Sequence, residues 1–314
     1  MIPGLSPKKV SVVIAHRGDP LGLWATLCSC EEQFAENGFE HEYAIISNGQ
    51  SEQPHVKEYS HRLEKAKRLS LYHHSDAPMS PPSARQMGAN AATGDIICFL
   101  DNHCFLGPHF FARAVLDLDK YGYDMLHGAV QYVPYGPYAY HYKLRLDKNF
   151  WGYDVQIPQH NYYPYQIAMA GHGAFFVTSD AWKTTGGYWD GFVGYAGEES
   201  YLDLKFGLMG RKVVLDPKIA HHHYASARDY PRHFSDDYWR NLLMAANIIG
   251  GEVWMERVAA NALHATRAKS SKTIFDLTVE AYERSRDHAE WMAANRLMPL
   301  EELLNQYRQH LVAF

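Results

Sequence analysis

The chain has 314 residues, of which 46% are hydrophobic and 21% are charged, and this composition is typical of an ordinary globular protein. Its net charge of −5 excludes a general electrostatic attraction to nucleic acid or to an anionic membrane surface. Four cysteines are too few for a disulfide framework at this length, and no apolar run is long enough to span a membrane.

Predicted strands and helices alternate along the first third of the chain. The predicted strands cover residues 10–16, 42–47, 70–74 and 95–100, and the predicted helices between them cover residues 21–37 and 52–68. A loop rich in proline spans residues 76–83, and Ser83 is suited to cap the helix that follows it. This alternation predicts an α/β fold with a mostly parallel sheet flanked by helices.

A polar tripeptide, Asp101-Asn102-His103, directly follows the predicted strand at residues 95–100. Alternate residues of an extended segment point the same way, so we expect Asp101 and His103 to aim at one spot. Ligands usually bind at the carboxyl ends of strands in an open α/β sheet. A carboxylate oxygen and an imidazole nitrogen suit a divalent ion of the Mn or Zn type. A plain polar turn would explain the tripeptide taken alone.

The middle of the chain predicts a helix over residues 108–121, a strand over residues 124–132 and a return strand over residues 174–177. Residues 132–165 are rich in tyrosine. Aromatic rings with polar tips are what a sugar or peptide acceptor site uses, and a packed surface loop has the same composition.

Two carboxylates, Glu198 and Glu199, precede a run of apolar residues that predicts a helix beginning near Glu198. Acidic residues at a helix start are favoured by the helix dipole, which is sufficient to explain them by itself. Beside a metal-type pair, one of these carboxylates could instead act as the general base for an acceptor hydroxyl.

A histidine run follows the last predicted strand, which covers residues 212–215 and which we expect Asp216-Pro217 to break. In the extended segment after it, His221 and His223 share one face. The run is also compatible with a solvated loop or with buried histidines. Together with Asp101 and His103, it favours a metal role for His221 or His223.

The order of these motifs resembles that of GT-A glycosyltransferases. Val10-Ser11-Val12-Val13-Ile14-Ala15-His16 resembles the first strand of family 2-type enzymes, and residues 84–95 resemble the helix before their metal-binding strand. The Asp101-Asn102-His103-Cys104 motif and the stretch from Ala170 to Phe176 are most similar to the polypeptide N-acetylgalactosaminyltransferases. The resemblance covers roughly residues 8–225.

The resemblance implies a metal-dependent enzyme that transfers a hexose or N-acetylhexosamine from a UDP-sugar to an acceptor hydroxyl. Mn²⁺ on the donor diphosphate would be held by Asp101, His103 and His221, with His223 as a further candidate. The donor nucleotide would lie near a set of residues from the strand ends and the preceding helix, namely Ala15, His16, Asn48, Arg85, Asp95, Asp101 and Asn102.

Two departures from the family pattern concern the uracil contact and the base, and the second leaves the stereochemistry open. Ser47-Asn48-Gly49 stands where many relatives carry two acidic residues. Glu199 stands where the polypeptide enzymes carry asparagine, and an acidic residue there resembles the base of inverting family 2 enzymes. Glu199 is therefore the first candidate for the base and Glu198 the second.

We expect a GT-A domain over residues 1–225, with a nucleotide-binding half over 8–110 and an acceptor half over 111–225. Residues 226–314 predict a helical appendage for docking, dimerisation or acceptor binding, built from helical stretches over 235–268 and 273–312 and interrupted at Gly250-Gly251. The acceptor could be a saccharide, a peptide or modified DNA. The membrane anchor of Golgi relatives is not seen, so we expect a cytoplasmic bacterial or viral enzyme.

Two rival functions stay open on the sequence. The first is a viral glycosyltransferase that acts on a modified DNA base, which the net negative charge disfavours. The second is a non-catalytic module that binds a sugar nucleotide or a glycan, which would have no need of both metal-type clusters. A structural zinc protein would need a closed site of four ligands, and the Cys and His spacing provides none.

Overall fold

A computed structural model of the chain describes residues 8–49, 51–133, 138–139, 141–145, 152–156, 163–224, 235–265 and 272–307. In chain order, the elements of its first half are β1 (Lys9–His16), α1 (Pro20–Asn37), β2 (Glu40–Asn48), α2 (Pro54–Lys65), β3 (Leu69–Ser75), α3 (Pro81–Ala91), β4 (Ile96–Asp101), β5 (Cys104–Leu106), α4 (Phe110–Tyr121) and β6 (Met125–Val133). The elements that follow are β7 (Tyr138–Ala139), β8 (His141–Arg145), β9 (Gly152–Gln156), β10 (Tyr165–Gln166), β11 (Ala174–Thr178), α5 (Ser179–Thr185), α6 (Glu198–Leu208), β12 (Val213–Tyr224), α7 (Asp236–Gly250), α8 (Glu252–Ala265), α9 (Ile274–Asn295) and α10 (Leu300–Gln306).

The alternation predicted from the sequence is confirmed, and local signals explain where the first helices begin. Asp19 caps α1, because its carboxylate accepts a hydrogen bond of 2.8 Å from the backbone N–H of Gly22, and proline occupies the first position of the helix. Ser80, rather than the expected Ser83, caps α3, and its hydroxyl accepts from the backbone N–H of Ser83. These caps therefore define the residues at which α1 and α3 begin.

The central sheet has the strand order β10-β12-β6-β11-β4-β1-β2-β3. Strands β3, β2, β1 and β4 are parallel, and β12 is parallel to β6. Strand β11 lies between β4 and β6 and is antiparallel to both. Because β11 runs in the opposite direction, its amino end lies at the edge where β1 and β4 end. The sheet is therefore mixed: β11 is reversed within a parallel framework, and the short strands β10, β5 and β7 pair antiparallel with β12 and β6.

The histidine run belongs to a continuous strand rather than to a segment after a strand break. The expected end at Asp216-Pro217 is wrong, because β12 continues to Tyr224 with a register shift between Asp216 and Ala220. The buried carboxylate of Asp216 accepts a hydrogen bond of 2.9 Å from the backbone N–H of Lys218 and pairs with Arg113. A bulge of this kind accommodates proline without ending the strand.

The sheet separates two apolar clusters, and the C-terminal helices contribute to one of them. Leu243 of α7, Leu277 of α9 and Leu303 of α10 are buried in the same cluster as Phe99 and Phe175 of the sheet. The C-terminal region expected as an appendage therefore shares its core with the sheet. The helical break expected at Gly250-Gly251 is present between α7 and α8.

Half of the tyrosine-rich stretch at 132–165 lies outside the described residues, and the described half consists mainly of short strand segments. No helix in the described ranges combines the length and the apolar character that a membrane crossing requires.

Candidate active site

Three side chains from two distant parts of the chain meet at the carboxyl edge of the sheet. Asp101 is the last residue of β4, and His103 follows it in the turn before β5. Strand β5 pairs antiparallel with β12 so that Cys104 lies opposite His223. This register places the ring of His223 beside His103, although 120 residues separate the two. The pairing of β5 with β12 thus assembles the cluster of Asp101, His103 and His223, which we call the triad.

The ligand atoms of the triad are spaced as they would be around a metal ion. The Nε2 atom of His223 lies 3.1 Å from Oδ2 of Asp101 and 3.1 Å from Nε2 of His103. Metal–ligand bonds of about 2.1 Å that meet at right angles place neighbouring ligand atoms about 3.0 Å apart. One carboxylate oxygen and two imidazole nitrogens suit Mn²⁺ or Zn²⁺. The triad therefore fits a divalent cation, as one of two such clusters among the described residues.

His221, the first downstream ligand expected from the sequence, does not join the triad. It is buried on the same face of β12 as His223, and both of its ring nitrogens lack a hydrogen-bond partner among the described residues. Burial lowers the pKa of His221 to about 3, so the ring is neutral at physiological pH. The structure therefore places His221 as a buried neighbour of the metal-type cluster and His223 as a member of it.

Gly173 allows both histidines to approach the site. A Cβ atom at this position would lie 3.0 Å from Cδ2 of His223 and 3.3 Å from Nε2 of His221. These contacts are tighter than ordinary van der Waals distances, so any larger residue would push the rings away. The carbonyl of Gly173 also accepts a hydrogen bond of 2.9 Å from the backbone N–H of Asp101. A glycine here ties the start of β11 to the end of β4.

A buried arginine holds the other oxygen of the triad carboxylate. The Nη2 atom of Arg85, from α3, donates to Oδ1 of Asp101 at 2.8 Å and to the carbonyl of His172 at 3.0 Å. Burial favours protonation of Asp101, but the hydrogen bond from His223 and the charge of Arg85 outweigh it and hold the pKa well below its usual range. The carboxylate is therefore ionised, and its Oδ2 atom is directed towards the histidines.

The two glutamates at the start of α6 have different surroundings. Oε2 of Glu198 accepts a hydrogen bond of 2.9 Å from the backbone N–H of Ala196, so this buried carboxylate shapes its own loop. Oε1 of Glu199 accepts from the backbone N–H of His172 at 3.3 Å. Burial raises the pKa of Glu199 to about 6; His172 opposes this shift and Glu198 adds to it. Glu199 is therefore a carboxylate whose pKa suits proton transfer near neutral pH.

Three of the residues expected beside the nucleotide lie at the ends of β1 and β2. Ala15 is opposite Asp101 in the β1–β4 register. His16 is buried, its Nδ1 atom lies 3.2 Å from Oγ of Ser47, and burial lowers its pKa to about 4. Oδ1 of Asn48 accepts a hydrogen bond of 3.2 Å from the backbone N–H of Met79. The strand ends thus place Ala15, His16 and Asn48 at the same edge of the sheet as the triad.

Two residues expected beside the nucleotide are directed elsewhere. Asp95 precedes β4, and its carboxylate accepts from the backbone N–H of Lys9 at 3.0 Å. It therefore lies at the opposite edge of the sheet from Asp101, about 20 Å away along an extended strand of six residues. The amide of Asn102 donates to the carbonyl of Asp19 at 3.2 Å, so this side chain fixes the turn to the start of α1.

His172, which the sequence motifs did not single out, contacts several groups of the site. Its carbonyl accepts from Arg85, its backbone N–H donates to Glu199, and its ring lies 2.7 Å from the hydroxyl of Tyr188 and 2.9 Å from Oδ1 of Asp203. The only signal in the sequence was a histidine between two glycines at the return to the sheet. Nothing in the spacing pointed to Tyr188 or Asp203.

The C-terminal helices hold the loop that leads to α6. The buried side chain of Asn241, in α7, donates to the carbonyl of Val193 at 2.7 Å and to that of Tyr195 at 3.3 Å, and it accepts from the backbone N–H of Val193 at 3.2 Å. In this loop Ala196 adopts a φ of 102°, a conformation that is costly for a residue with a side chain. The position of Glu198 and Glu199 thus depends on α7.

Comparison with known proteins agrees with this architecture. GalNAc-T7 with UDP, GalNAc and Mn2+ matches 97% of this chain and 57% of its own, at 16% identity and a TM-score of 0.70. S. aureus TarS 1–349 in complex with UDP-GlcNAc matches 98% of this chain and 93% of its own, at 11% identity and a TM-score of 0.55. At such identities the likeness shows the fold, which is GT-A.

The sequence itself gives the family. No curated protein is a significant match to the chain. The family model described as glycosyl transferase family 2 matches residues 11–183, which is more than half of the chain and includes most of β1, all of β4 and two members of the triad, Asp101 and His103. The chain therefore belongs to glycosyl transferase family 2.

Proposed function

We propose that this protein is a metal-dependent glycosyltransferase that moves a hexose or N-acetylhexosamine from a UDP-sugar to an acceptor hydroxyl. The observation that carries the proposal is the convergence of Asp101, His103 and His223, whose three ligand atoms lie at the carboxyl edge of the sheet. In a glycosyl transferase family 2 chain, this edge is where a nucleotide sugar would bind.

The donor class is supported by the site and by the fold neighbours. GalNAc-T7 has been solved with UDP, GalNAc and Mn2+, and TarS with UDP-GlcNAc. Ala15, His16 and Asn48 would contact the nucleoside, and the triad would hold Mn²⁺ or a similar ion. When bound, such an ion neutralises the diphosphate and so assists the departure of UDP.

Glu199 is proposed to act as the general base. Its carboxylate would take the proton of the acceptor hydroxyl while that oxygen bonds to the anomeric carbon and the bond from this carbon to UDP breaks. The backbone N–H of His172 orients Oε1 of Glu199, and the raised pKa makes the carboxylate an effective proton acceptor. Direct attack of this kind inverts the anomeric configuration. Glu198, which bonds to its own loop, is the less suitable base.

The test is the release of UDP in the presence of Mn²⁺ and a panel of UDP-sugars, first by slow hydrolysis without acceptor and then with saccharides, peptides and DNA containing hydroxymethylated bases. We expect release from at least one UDP-sugar, its loss with chelator, and its restoration by Mn²⁺. Asp101→Ala should be inactive. His222→Ala is the matched control, because this residue lies on the other face of β12 and should retain activity.

Each outcome distinguishes the proposal from its rivals. Binding of a UDP-sugar without release under any acceptor condition would make the protein a binding module. Transfer only to modified DNA, with affinity that falls steeply as salt rises, would identify a DNA glycosyltransferase. Release that is unaffected by chelator would exclude metal dependence.

A further inference from the structure

A second cluster of titratable residues lies behind the site and is fully buried. Oδ1 of Asp203, in α6, lies 3.2 Å from Nε2 of His127 and 2.9 Å from Nε2 of His172. Its Oδ2 atom accepts a hydrogen bond of 2.7 Å from the backbone N–H of Ala170. All three of these side chains are inaccessible to solvent. A buried carboxylate with three donors is a satisfied acceptor, and its surroundings are fixed by those donors.

The acceptor character of Asp203 determines where the protons of His172 lie. Burial favours the neutral acid, but His127 and His172 hold the pKa of Asp203 well below its usual range, so the carboxylate only accepts. We therefore assign to His172 the tautomer with its ring proton on Nε2. Its Nδ1 atom then accepts, at 2.7 Å, from the hydroxyl of Tyr188. Because that hydrogen is directed to His172, the Tyr188 oxygen presents its lone pairs to its other neighbour.

That other neighbour is Arg85. Its Nη1 atom lies 3.5 Å from the Tyr188 oxygen, while its Nη2 atom donates to Oδ1 of Asp101 and to the carbonyl of His172. The same His172 donates its backbone N–H to Glu199. A continuous chain of hydrogen bonds therefore leads from Asp203 through His172 and Tyr188 to Arg85 and the triad, with Glu199 as a side branch.

We propose that Asp203 is a positioning residue which, through the ring of His172 and the hydroxyl of Tyr188, holds Arg85 and Glu199 in place for glycosyl transfer. This inference rests on the proposed function. It predicts that a donor group in place of the Asp203 carboxylate, which reverses the direction of these hydrogen bonds, lowers turnover more than it weakens donor binding. The reason is that the residues at the nucleoside end of the site do not belong to this hydrogen-bond chain.

A metal ion is the competing interpretation of the His127, His172 and Asp203 cluster, because its three ligand atoms also lie within 4.8 Å of one another. The direct hydrogen bonds and the third donor from Ala170 favour the network. A zinc or iron ion that survives Asp101→Ala and is lost from Asp203→Asn, measured by elemental analysis, would overturn the proposal.

The experiment compares Asp203→Asn, Tyr188→Phe and the double variant. In Asp203→Asn the side-chain amide can donate to Nε2 of His172. This favours the tautomer of His172 with its proton on Nδ1, which would donate to the Tyr188 oxygen and turn its hydroxyl hydrogen away. We expect each single variant to lower kcat for UDP-sugar turnover about tenfold or more, with KM for the donor within about threefold. Because both changes interrupt one chain, the double variant should be no worse than the more severe single variant.

NMR spectroscopy tests the hydrogen-bond chain directly, without an activity assay. The ¹⁵N shifts of His172 in labelled protein should show a protonated Nε2 in the wild type and in Tyr188→Phe, and a protonated Nδ1 in Asp203→Asn. His127→Gln is the control, because His127 contacts Asp203 but does not belong to the hydrogen-bond chain that runs from Asp203 through His172 to Tyr188. This variant should have a lower thermal stability than the wild type, but its kcat for UDP-sugar turnover should stay near the wild-type value.

The outcomes separate this inference from the proposed function. Wild-type protein that turns over no UDP-sugar contradicts the proposed function, and the inference that rests on it falls as well. Active wild-type protein combined with additive losses in the double variant, or with an unchanged kcat in Asp203→Asn, overturns the inference alone. An unchanged His172 tautomer in Asp203→Asn overturns the hydrogen-bond chain whatever the activity.

Discussion

The Nε2 atoms of His103 and His223 lie 3.1 Å apart, although 120 residues separate them in the chain. Two imidazole nitrogens at this distance cannot both donate to each other, and a carboxylate oxygen of Asp101 lies equally close to His223. A shared cation would bind all three of these ligand atoms at once. The proposed function depends on this relationship.

The histidine run gives the first prediction. His223→Ala should lower Mn²⁺ affinity about tenfold or more, because it removes a ligand, and His221→Ala should lower it less, because its ring lies outside the triad. His222→Ala should leave the affinity unchanged. Electron paramagnetic resonance of free Mn²⁺ during titration measures all three. A larger loss in His221→Ala than in His223→Ala would restore the ranking made from the sequence.

The acidic pair gives the second prediction. Glu199→Gln keeps the size of the side chain but removes the base, so kcat should fall about a hundredfold or more while the Kd for UDP-sugar stays within about threefold. In the wild type, kcat should decline as the pH falls through about 6, because protonation of Glu199 removes the acceptor for the hydroxyl proton.

Glu198→Gln provides the matched control for that experiment. Its amide oxygen can still accept from Ala196, so we expect near-normal turnover. A dead Glu198→Gln with an active Glu199→Gln would exchange the roles of the two residues, and an NMR assignment of the product anomer would test the inverting course independently.

The loop before α6 gives the third prediction. Asn241→Ala removes three buried hydrogen bonds to Val193 and Tyr195, so it should destabilise the protein by about 1–3 kcal/mol and also lower kcat. Asn247→Ala is the control, because Asn247 lies in the same helix and donates at 2.9 Å to Ser285, away from the loop. Equal effects of the two variants on kcat, after correction for stability, would show that α7 does not position the loop.

A carboxyl pair on the other side of the sheet gives the fourth prediction. Burial and the neighbouring Asp216 raise the pKa of Asp117 to about 7 from an ordinary value of 3.8. The folded state therefore binds this proton more tightly than the unfolded chain, and the stability that the proton confers is lost as the pH rises from about 4 through 7.

Asp117→Asn removes this loss, so at pH 8 the variant should be more stable than the wild type by about 1–2 kcal/mol. The difference should shrink as the pH falls towards 5. Urea denaturation at several pH values measures it, with Asp119→Asn on the same helix as the surface control. A stability difference between Asp117→Asn and the wild type that is the same at all pH values would contradict the raised pKa of Asp117.

The triad shows how far the sequence could predict the site. Alternation in an extended segment was enough to pair Asp101 with His103, because both follow one strand. The choice between His221 and His223 depends on the bulge after Asp216 and on the pairing of β12 with β5, which are long-range features. Periodicity places both histidines on one face and cannot distinguish between them.

The fold shows the same limit. Local caps and apolar runs predicted the elements, but the reversed direction of β11 appears only in its pairing with β4 and β6, which is a long-range feature. Asp95 was expected beside the nucleotide but lies at the opposite edge of the sheet from Asp101. A sequence motif gives the order of the residues, but it does not show at which edge of the sheet each residue lies. His172 and Asp203 are 31 residues apart, so only the folded chain brings them together.

The most direct test of the central claim is calorimetric titration of the wild type and of Asp101→Ala with UDP, with and without Mn²⁺. If the triad holds the ion that binds the diphosphate, wild-type protein should bind UDP strongly only with Mn²⁺ present. Asp101→Ala should bind it weakly under both conditions. Equal UDP affinity in the wild type with and without Mn²⁺, or an undiminished affinity in Asp101→Ala, would contradict the account.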